Sequence, residues 1–310
     1  MATNPSEPRR RLIFATVLYW RARELALLER CVESLLAQSL DAPFELRVLV
    51  IDNGCSLVPR LPDDSRVEVI RSTYNRGFSG GHNFGIRRAL SNNAEWVLLF
   101  NSDAIAEAGC IAELLTTGEA EPSAAFIGPL VLRATSEDRI ESAGQSFDTA
   151  TGRHREIARG QPAASVGTSP RRVDAISGCA LFARTSVLES IGLLDEALFI
   201  YFEDLEWCLR ARRAGYTVVM TPTGRVRHVG GGSTGSASLM STYLSTRNHI
   251  VIAGRYGGKL PKALALGYQL AYLVRWPERR SKHHFAAVAL AAIDAWAGRL
   301  GAGRYGAHRD

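Results

Sequence analysis

The stretch Val97-Leu98-Leu99-Phe100-Asn101-Ser102-Asp103 decides the fold class of this chain. Its four consecutive apolar residues predict a strand that is buried on both faces. Polar residues end the strand, and the helix-forming stretch 106–115 follows, so Asp103 lies where a strand gives way to a helix. Ligands of open α/β sheets collect at the carboxyl ends of strands. Asp103 is therefore either an oxygen ligand for a hard cation or a cap for the next helix, and the stretch alone favours the cap.

The composition indicates a folded protein with one large domain, or with one domain and an appendage. The chain has 310 residues, of which 46% are hydrophobic and 22% are charged. Its five cysteines are odd in number and lack Cys-x-x-Cys spacing, which argues for reduced thiols and against a disulfide scaffold or a zinc site. Residues 1–11 are polar and basic without an apolar signal core, and no stretch has the length to cross a bilayer. We therefore expect a cytoplasmic protein.

The net charge of +6 is concentrated in the C-terminal tail. Residues 255–310 hold ten Lys/Arg and three Asp/Glu, whereas residues 1–254 carry a net charge of −1. Two apolar segments of the tail, 263–274 and 285–297, flank the basic stretch 275–284. This pattern predicts a hairpin of amphipathic helices whose basic corner associates peripherally with an anionic membrane. An oligomer contact and a plain C-terminal subdomain are the alternatives; the oligomeric state stays open, and nucleic acid is not an expected partner.

Alternating strands and helices fill the first third of the chain. The predicted strands lie at 11–19, 46–52, 67–70 and 97–100, with a helix at 23–38. This order predicts an α/β sheet with mainly parallel pairing. No glycine follows the first strand, where residues 20–24 read Trp-Arg-Ala-Arg-Glu, so a nicotinamide- or flavin-dependent dehydrogenase is disfavoured. Downstream, we predict strands at 124–132, 216–221 and 225–228, a hairpin and surface loop at 133–172, and a helix at 239–256.

Two glycine-containing stretches are candidates for contact with a ligand. The stretch 75–85 reads Asn-Arg-Gly-Phe-Ser-Gly-Gly-His-Asn-Phe-Gly, and such a stretch at the start of a helix can bring backbone N–H groups to a phosphate. The alternative, a flexible loop, is favoured for the glycines alone. Gly178 lies within a predicted strand at 173–183, where a glycine often marks the close approach of a ligand or of another backbone.

Carboxylates and a histidine later in the chain add candidate catalytic groups. Glu203 and Asp204 follow an aromatic run and open a predicted helix. They either stabilise the helix dipole, or one of them takes a proton from a substrate hydroxyl. His228 ends a strand shortly before a glycine triplet at 230–232, which makes it a ligand candidate in a chain with a candidate cation site.

In their order along the chain, these motifs resemble the family 2 glycosyltransferases with a GT-A fold, especially the rhamnosyltransferase-like branch that builds bacterial surface polysaccharides. The resemblance covers roughly residues 12–256. Its motifs are Val50-Ile51-Asp52-Asn53, Asn75-Arg76-Gly77-Phe78-Ser79-Gly80-Gly81-His82-Asn83, Leu99-Phe100-Asn101-Ser102-Asp103, Ser177-Gly178-Cys179-Ala180-Leu181, Phe202-Glu203-Asp204-Leu205-Glu206, His228 and Arg247-Asn248. The resemblance implies an α/β fold of the GT-A type, with a Rossmann-like mixed, mainly parallel sheet flanked by helices over residues 1–256. A basic amphipathic helical extension is expected over 257–310.

The resemblance also implies which residues bind the donor. Asp52 looks like the carboxylate that meets the nucleotide base, with Tyr19 nearby at the end of the first strand. Asn75, Gly77 and Gly81 look like parts of the loop that lies along the donor nucleotide.

A second group of residues is implied at the reacting centre. Asn101 and Asp103 stand in the family's Asp-x-Asp metal motif, in which Asp103 looks like the last acid and binds Mg²⁺ or Mn²⁺ held by the diphosphate. His228 looks like a further metal or diphosphate ligand. Asp204 looks like the general base, and Glu203 looks like the neighbour that orients the acceptor or the sugar.

The function that the resemblance implies is that of a metal-dependent, inverting glycosyltransferase. It moves a sugar, such as rhamnose or another hexose or deoxyhexose, from a nucleotide-sugar donor to a hydroxyl of a glycan, lipid-linked or small-molecule acceptor. A sugar-phosphate nucleotidyltransferase is disfavoured because no basic glycine-rich loop follows the first strand. A non-catalytic carbohydrate-binding or scaffold protein is disfavoured by the intact Asp103, Glu203, Asp204 and His228.

Overall fold

The structure is a computed structural model that describes residues 10–21, 24–55, 57–136, 138–229, 238–275 and 281–304. Its strands are β1 (Arg11–Tyr19), β2 (Phe44–Asn53), β3 (Val67–Ser72), β4 (Trp96–Asn101), β5 (Ala104–Ala106), β6 (Ala124–Arg133), β7 (Ile140–Ser142), β8 (Gln145–Asp148), β9 (Arg153–Glu156), β10 (Arg171–Arg172), β11 (Ala180–Arg184) and β12 (Thr217–His228). Its α-helices are α1 (Leu25–Leu36), α2 (Gly77–Ser91), α3 (Cys110–Ala120), α4 (Thr185–Ile191), α5 (Glu203–Arg213), α6 (Leu239–Gly257), α7 (Lys259–Arg275) and α8 (Lys282–Trp296). Two short 3-10 turns cover Ala163–Val166 and Glu196–Leu198.

A mixed sheet forms the centre of the fold. Ten of the described strands belong to it, in the path β10-β12-β6-β11-β4-β1-β2-β3, with β5 paired to β12 and β7 paired to β6. β1 pairs in parallel with β2 and β4, β2 with β3, and β6 with β12, while β11 runs antiparallel between β4 and β6. The predicted α/β class with a mixed, mainly parallel sheet is therefore confirmed, and β8 and β9 form a separate hairpin.

Side chains of β1 point alternately to the two faces of the sheet, and both faces are buried. Phe14 and Leu18 join a cluster with side chains of α2, α4, α5 and α6, whereas Ile13 and Val17 join a second cluster with α1 and α3. Helices on both faces explain why the strands are continuous apolar runs. Because β1, β2 and β4 are parallel, their carboxyl ends meet at one edge of the sheet.

The segment after Asp103 differs from the prediction of a helix over 106–115. The short strand β5 comes first, and α3 begins only at Cys110. β5 forms because it pairs antiparallel with the end of β12, in a register that sets Ala104 opposite His228. Asp103 is therefore not the cap of the next helix.

The glycine-rich stretch 75–85 is mostly helical, because α2 begins at Gly77. The alternative of a flexible loop is therefore wrong. Small residues are required here because α2 lies close to the sheet, and a Cβ at Gly81 would overlap the side chain of Leu18. Close packing thus overrides the low helix propensity of glycine.

Two further strand assignments change in the structure. The predicted strands at 216–221 and 225–228 are one strand, β12, which has an irregular register between them. The predicted strand at 173–183 is regular only from Ala180 onward, so Gly178 precedes β11 instead of lying within a strand.

The C-terminal helices pack against the rest of the chain. Ala265 of α7 and Ala287, Ala291 and Ala295 of α8 belong to the same hydrophobic cluster as Tyr243 of α6. The predicted helical hairpin of the tail is therefore present and shares a core with the sheet. A division into a main domain and an extension at residue 257 stays a prediction.

Parts of two predicted features lie outside the described residues. These are residues 276–280, which belong to the basic corner of the tail, and the glycine triplet at 230–232. None of the described helices combines the length and the hydropathy that a membrane span requires.

Candidate active site

A cavity of about 370 Å³ opens where the ends of several distant elements meet. Five of the predicted residues line it: Asn101 and Asp103 after β4, Glu203 and Asp204 at the start of α5, and His228 at the end of β12. The pairing of β5 with β12 brings Asp103 beside His228, although 125 positions separate them. The cavity therefore unites the carboxylates and the histidine that the sequence singles out.

In one part of the cavity, His228 links two carboxylates. Its Nε2 donates to Asp103 Oδ1 and its Nδ1 donates to Glu141 Oε1, each at 3.1 Å, and Asn101 Nδ2 lies 3.3 Å from Nε2. Burial alone lowers the pKa of His228, but the hydrogen bonds and charges of the two carboxylates outweigh it and raise the pKa to about 10. In this arrangement the imidazole carries protons on both nitrogens at neutral pH.

Asp103 and His228 fit a divalent ion that also binds a diphosphate. Their Oδ1 and Nε2 atoms are 3.1 Å apart. Neighbouring ligands of an octahedral ion with bonds of about 2.1 Å are separated by about 3 Å. Among the described residues, no group of three or more His, Cys, Asp or Glu is arranged to hold a metal ion by itself. A substrate phosphate and water would therefore complete the coordination, as is usual for Mg²⁺, and metal binding would release the Nε2 proton.

Asp204 and Glu203 differ in how their carboxyl groups are held. Asp204 accepts backbone hydrogen bonds at 2.7 Å from the N–H of Gly178 and of Leu205. Glu203 Oε2 is buried and has no hydrogen-bond partner among the described residues. Burial raises the pKa of both groups; the backbone bonds counteract this for Asp204, whereas the Asp204 charge adds to it for Glu203. Glu203 is therefore the carboxyl of the pair that holds its proton more tightly, and Asp204 is the one that ionises more readily.

Gly178 allows the close approach of Asp204. A Cβ at this position would lie 3.0 Å from the ring of Phe78 and 3.5 Å from the Cβ of Asp204. The glycine marks a close approach, as its sequence context predicts, but the neighbours are side chains of this chain.

The backbone before Glu203 adopts an uncommon conformation. Phe199, Tyr201 and Phe202 have φ angles of 67°, 72° and 68°. Aromatic residues rarely occupy this left-handed region, and each such residue costs about 1–3 kcal/mol. We call residues 199–202 the aromatic turn. It sets the direction in which α5 begins, and so the position of the carboxylate pair.

Arg247 and Asn248 of α6 hold the aromatic turn in place. Asn248 Nδ2 lies 2.8, 3.0 and 2.7 Å from the carbonyl oxygens of Leu198, Ile200 and Tyr201, so its two protons are shared among three acceptors. Arg247 donates to Leu198 O at 3.2 Å and to Asn248 Oδ1 at 2.9 Å. Both side chains are fully buried. The Arg-Asn motif therefore supports the turn that carries the carboxylates.

Tyr19 and Asp52 are register partners at the carboxyl ends of β1 and β2. Asp52 Oδ1 accepts from the Cys55 N–H at 2.7 Å, and the Tyr19 hydroxyl donates to Leu57 O at 3.2 Å. Burial, followed by the Asp52 charge, raises the pKa of Tyr19. The pair lies outside the lining of the main cavity, but a smaller depression of about 20 Å³, which shares lining residues with that cavity, reaches Trp20 beside it.

Asn75, Gly77 and Gly81 make internal contacts in the described structure. Asn75 Oδ1 accepts from the Gly77 N–H at 2.8 Å and from Asn53 Nδ2 at 3.0 Å. Gly77 has a φ of 71°, and a Cβ there would overlap Phe199. Since Gly81 packs on β1, the three residues join α2 to β2 and to the aromatic turn. Among the described residues they do not line the cavity, and their contact with a donor stays a prediction.

The sequence prediction missed four residues of the site: Glu141, Gln145, His154 and Glu156. The last three line the cavity, and Gln145 Nε2 donates to Glu156 Oε1 at 2.9 Å. Burial raises the pKa of Glu156 to about 7 and lowers that of His154 to about 4. The available signal is the alternation in residues 153–156, where two exposed arginines alternate with the two cavity residues.

The mixed sheet, with a cavity at the ends of its strands, is that of the GT-A class of glycosyltransferase folds. A comparison with family profiles assigns the chain more closely. It belongs to the family described as glycosyltransferase like family 2, whose profile matches residues 16–248. The resemblance inferred from the motifs is thereby confirmed.

Two curated relatives and one solved structure are similar to this chain. A low-salt glycan biosynthesis hexosyltransferase, Agl10 of Haloferax volcanii, is 32% identical over 183 residues, covering 55% of this chain. The chain spans only about half of that relative, 54% of its length. An N-acetylglucosaminyl-diphospho-decaprenol L-rhamnosyltransferase of Mycobacterium tuberculosis is 29% identical over 288 residues, covering 82% of this chain and 91% of that protein. The mannosyltransferase PcManGT of Pyrobaculum calidifontis, in complex with GDP-Man and Mn²⁺, has a TM-score of 0.55 at 14% identity, covering 95% of this chain and 89% of that one, which shows the fold alone.

We expect Asn248→Ala to lower the free energy of unfolding by about 1–3 kcal/mol, the cost of leaving buried polar groups unsatisfied. The substitution removes the donor that three carbonyl groups of the aromatic turn share. Urea unfolding followed by circular dichroism measures the change. Asn92→Ala is the control, because Asn92 Nδ2 also donates to a carbonyl, that of Arg88, but at the exposed end of α2. Equal losses for the two variants would contradict a special role for Asn248.

Proposed function

We propose that this chain is an inverting glycosyltransferase that moves a sugar from a nucleoside diphosphate to a hydroxyl group. One observation carries the proposal: Asp103 and His228, which fit a metal–diphosphate group, and Asp204, which fits a general base, line the same cavity. A single in-line displacement needs a leaving group on one side of the anomeric carbon and an activated hydroxyl on the other. Such a displacement inverts the anomeric centre without a covalent intermediate.

Asp103 and His228 would hold a divalent ion together with the donor diphosphate. When bound, the ion supplies positive charge that stabilises the departing diphosphate. The Mn²⁺ in the complex of PcManGT supports Mg²⁺ or Mn²⁺ as the ion. Glu141 accepts from Nδ1 of His228 and fixes the orientation of the ring, as the partner of the other nitrogen of a ligating imidazole commonly does.

Asp204 accepts the proton of the acceptor hydroxyl. As the hydroxyl oxygen bonds to the anomeric carbon, the bond to the diphosphate oxygen breaks and the proton moves to the carboxylate. Two backbone N–H groups fix the orientation of this carboxylate, and its raised pKa makes it a stronger base than an exposed aspartate. Neutral Glu203 can donate a hydrogen bond to an oxygen of the sugar or of the acceptor.

We propose rhamnose or another hexose or deoxyhexose as the sugar, and a glycan, a lipid-linked glycan precursor or a small molecule as the acceptor. The names of the relatives, a hexosyltransferase of glycan biosynthesis and a rhamnosyltransferase acting on a diphospho-decaprenol, support these classes. Asp52 and Tyr19 are proposed to meet the nucleotide base at the end of β1 and β2. The five cysteines are all free, which supports a reducing, cytoplasmic site of action.

A panel of nucleotide sugars tests the proposal. We expect the purified protein to release a nucleoside diphosphate from one of dTDP-rhamnose, UDP-glucose or GDP-mannose when Mn²⁺ and an acceptor are present. Chelation with EDTA should remove at least 90% of the activity (about 10-fold), and added Mn²⁺ or Mg²⁺ should restore it. Release of inorganic diphosphate would identify a nucleotidyltransferase instead. Binding of a sugar without turnover would identify a carbohydrate-binding protein.

The variant Asp204→Asn tests the assignment of the base. We expect kcat to fall by about 10²–10⁴-fold, because general base catalysis contributes this much, while donor affinity changes less than about twofold. Initial rates and calorimetric titration of the donor measure the two quantities. Asp64→Asn is the control, since Asp64 also accepts a backbone N–H, at 2.8 Å from Arg66, on the loop before β3. Full turnover in Asp204→Asn would show that another group is the base.

We further propose that the C-terminal extension associates peripherally with an anionic membrane. Leu260, Leu264, Leu270 and Val274 of α7 are exposed by 37–66% and fall within an arc of about 120° on the helix. On α8, three exposed side chains form a second stripe, namely Phe285, Ile293 and Trp296. Residues 257–310 hold nine Lys/Arg and three Asp/Glu, a net charge of +6, and exposed apolar stripes on such a segment are the features of an interfacial helix pair.

Point variants test the membrane proposal better than truncation does, because Gly301 O accepts from Arg247 Nη1 at 2.8 Å and links the extension to the support of the aromatic turn. We expect the protein to float with phosphatidylglycerol vesicles but not with phosphatidylcholine vesicles. The double variant Leu260→Gln, Val274→Gln should bind at least about 10-fold more weakly, since burial of each apolar side chain contributes about 1.5–3 kcal/mol. The control is Val58→Gln, an equally exposed apolar residue outside the extension. Unchanged flotation of the double variant would overturn the proposal, and a dimer that this variant disrupts would identify an oligomer contact.

A further inference from the structure

The β8–β9 hairpin presents a polar face to the cavity, next to the carboxylate pair. Gln145 and Glu156 stand opposite each other in the hairpin register, and Phe147 stands opposite His154. Gln145, His154 and Glu156 line the cavity together with Asp204. The other two residues of β9, Arg153 and Arg155, are exposed on the outer side of the hairpin. The hairpin thus has an inner face of three polar residues, which we call the hairpin wall.

Each residue of the hairpin wall has a buried polar atom that lacks a hydrogen-bond partner within the described part of the chain. These atoms are Gln145 Oε1, His154 Nε2 and Glu156 Oε2. Buried polar groups are nearly always paired in folded proteins, and an unpaired one costs free energy. Three such atoms on one face of one cavity indicate a ligand that supplies several hydrogen-bonding groups close together.

The chemistry of the three atoms selects hydroxyl groups as their partners. Gln145 Oε1 accepts hydrogen bonds, the ring of His154 is neutral because burial lowers its pKa to about 4, and its Nε2 donates or accepts according to the tautomer. Hydroxyl groups both donate and accept, so neighbouring hydroxyls of a sugar ring can satisfy all three atoms. The ring of Phe202 lies 5.2 Å from that of His154 and adds an apolar surface for the C–H face of a sugar.

The hairpin is anchored by the protein and does not depend on a ligand for its position. His249 Nε2 donates to Gly152 O at 2.7 Å, and Gln269 Nε2 donates to His249 Nδ1 at 2.9 Å. On the other strand, the Phe147 N–H donates to Asp174 Oδ2 at 2.9 Å. A wall that is held in this way can discriminate between sugars, because a sugar without a hydroxyl at the right position leaves its buried polar groups unpaired.

From the free atoms, their burial and their place beside the carboxylates, we propose that Gln145, His154 and Glu156 bind ring hydroxyls of a sugar next to Asp204 and so determine which sugar is placed there. This inference rests on the glycosyltransferase function proposed above. The sugar belongs either to the donor or to the acceptor, and the same hydroxyl chemistry serves both.

The test compares Glu156→Gln and His154→Phe with the wild type and with Arg155→Gln, a control on the outer face of β9. Calorimetry with Mn²⁺ measures the affinity for dTDP-rhamnose and for dTDP, or for the nucleotide sugar that the panel selects and its nucleoside diphosphate. If the wall binds the donor sugar, each variant loses about 10-fold in affinity for the nucleotide sugar and keeps its affinity for the nucleoside diphosphate. If it binds the acceptor sugar, both affinities stay unchanged and the acceptor KM rises by about 10-fold, with unaltered hydrolysis of the donor.

Thermal unfolding separates binding from a structural role. Glu156→Gln replaces a buried carboxyl whose pKa is raised to about 7, so its Tm should equal or exceed that of the wild type. Changes below twofold in all affinities and in KM, or equal changes in Arg155→Gln, would overturn the inference. So would a lower Tm together with loss of nucleoside diphosphate binding. A wild type that neither binds nor turns over any nucleotide sugar would instead refute the proposed function, which keeps the two failures distinct.

Discussion

Four carboxyl groups face one cavity of about 370 Å³, and the cost of burying so much negative charge constrains the rest of the site. A hydrogen bond from protonated His228 stabilises the buried charge of Asp103, and two backbone N–H groups stabilise that of Asp204. Burial raises the pKa of Glu203 well above its usual range and that of Glu156 to about 7. In one part of the cavity Asp103 is paired with a charged imidazole, whereas burial raises the pKa of Glu203, Asp204 and Glu156. A ligand with a metal-bound diphosphate at one end and hydroxyl groups at the other matches this distribution, whereas a purely apolar ligand does not.

Local patterns predict the centre of the sheet well, and long-range pairing explains the errors. The bounds of β1 follow directly from its apolar run, since the strand is covered on both faces. β5 is invisible in the sequence because it exists only through its pairing with the end of β12, more than 100 residues later. The helical state of the stretch after Gly77 is equally hidden, because glycines favour a loop unless close packing requires small side chains. Propensity describes the secondary structure that an isolated segment prefers. Pairing and packing with the sheet determine the secondary structure where the two differ.

The residues of the candidate site also fall into two groups: those that the sequence pattern reveals and those that it does not. Asp103, Asp204 and His228 stand at the ends of strands or at the start of a helix. A polar residue that follows an apolar run is a signal that can be recognised in the sequence alone. His154 and Glu156 lie in a strand of four residues whose inner face meets a cavity instead of a core, so no apolar residue marks the alternation. Their region reads as a surface loop for that reason. A period of two among polar residues alone carries too little information to identify a strand.

Helix α6 connects the parts on which the proposed chemistry depends. Asn248 holds the aromatic turn, and the next residue, His249, holds the tip of the hairpin through Gly152. One turn earlier, the Tyr243 hydroxyl donates to Asp294 of α8 at 2.6 Å. Because one helix carries all three contacts, α6 links the carboxylate pair, the hairpin wall and the C-terminal extension. A displacement of α8 would therefore reach the cavity through α6.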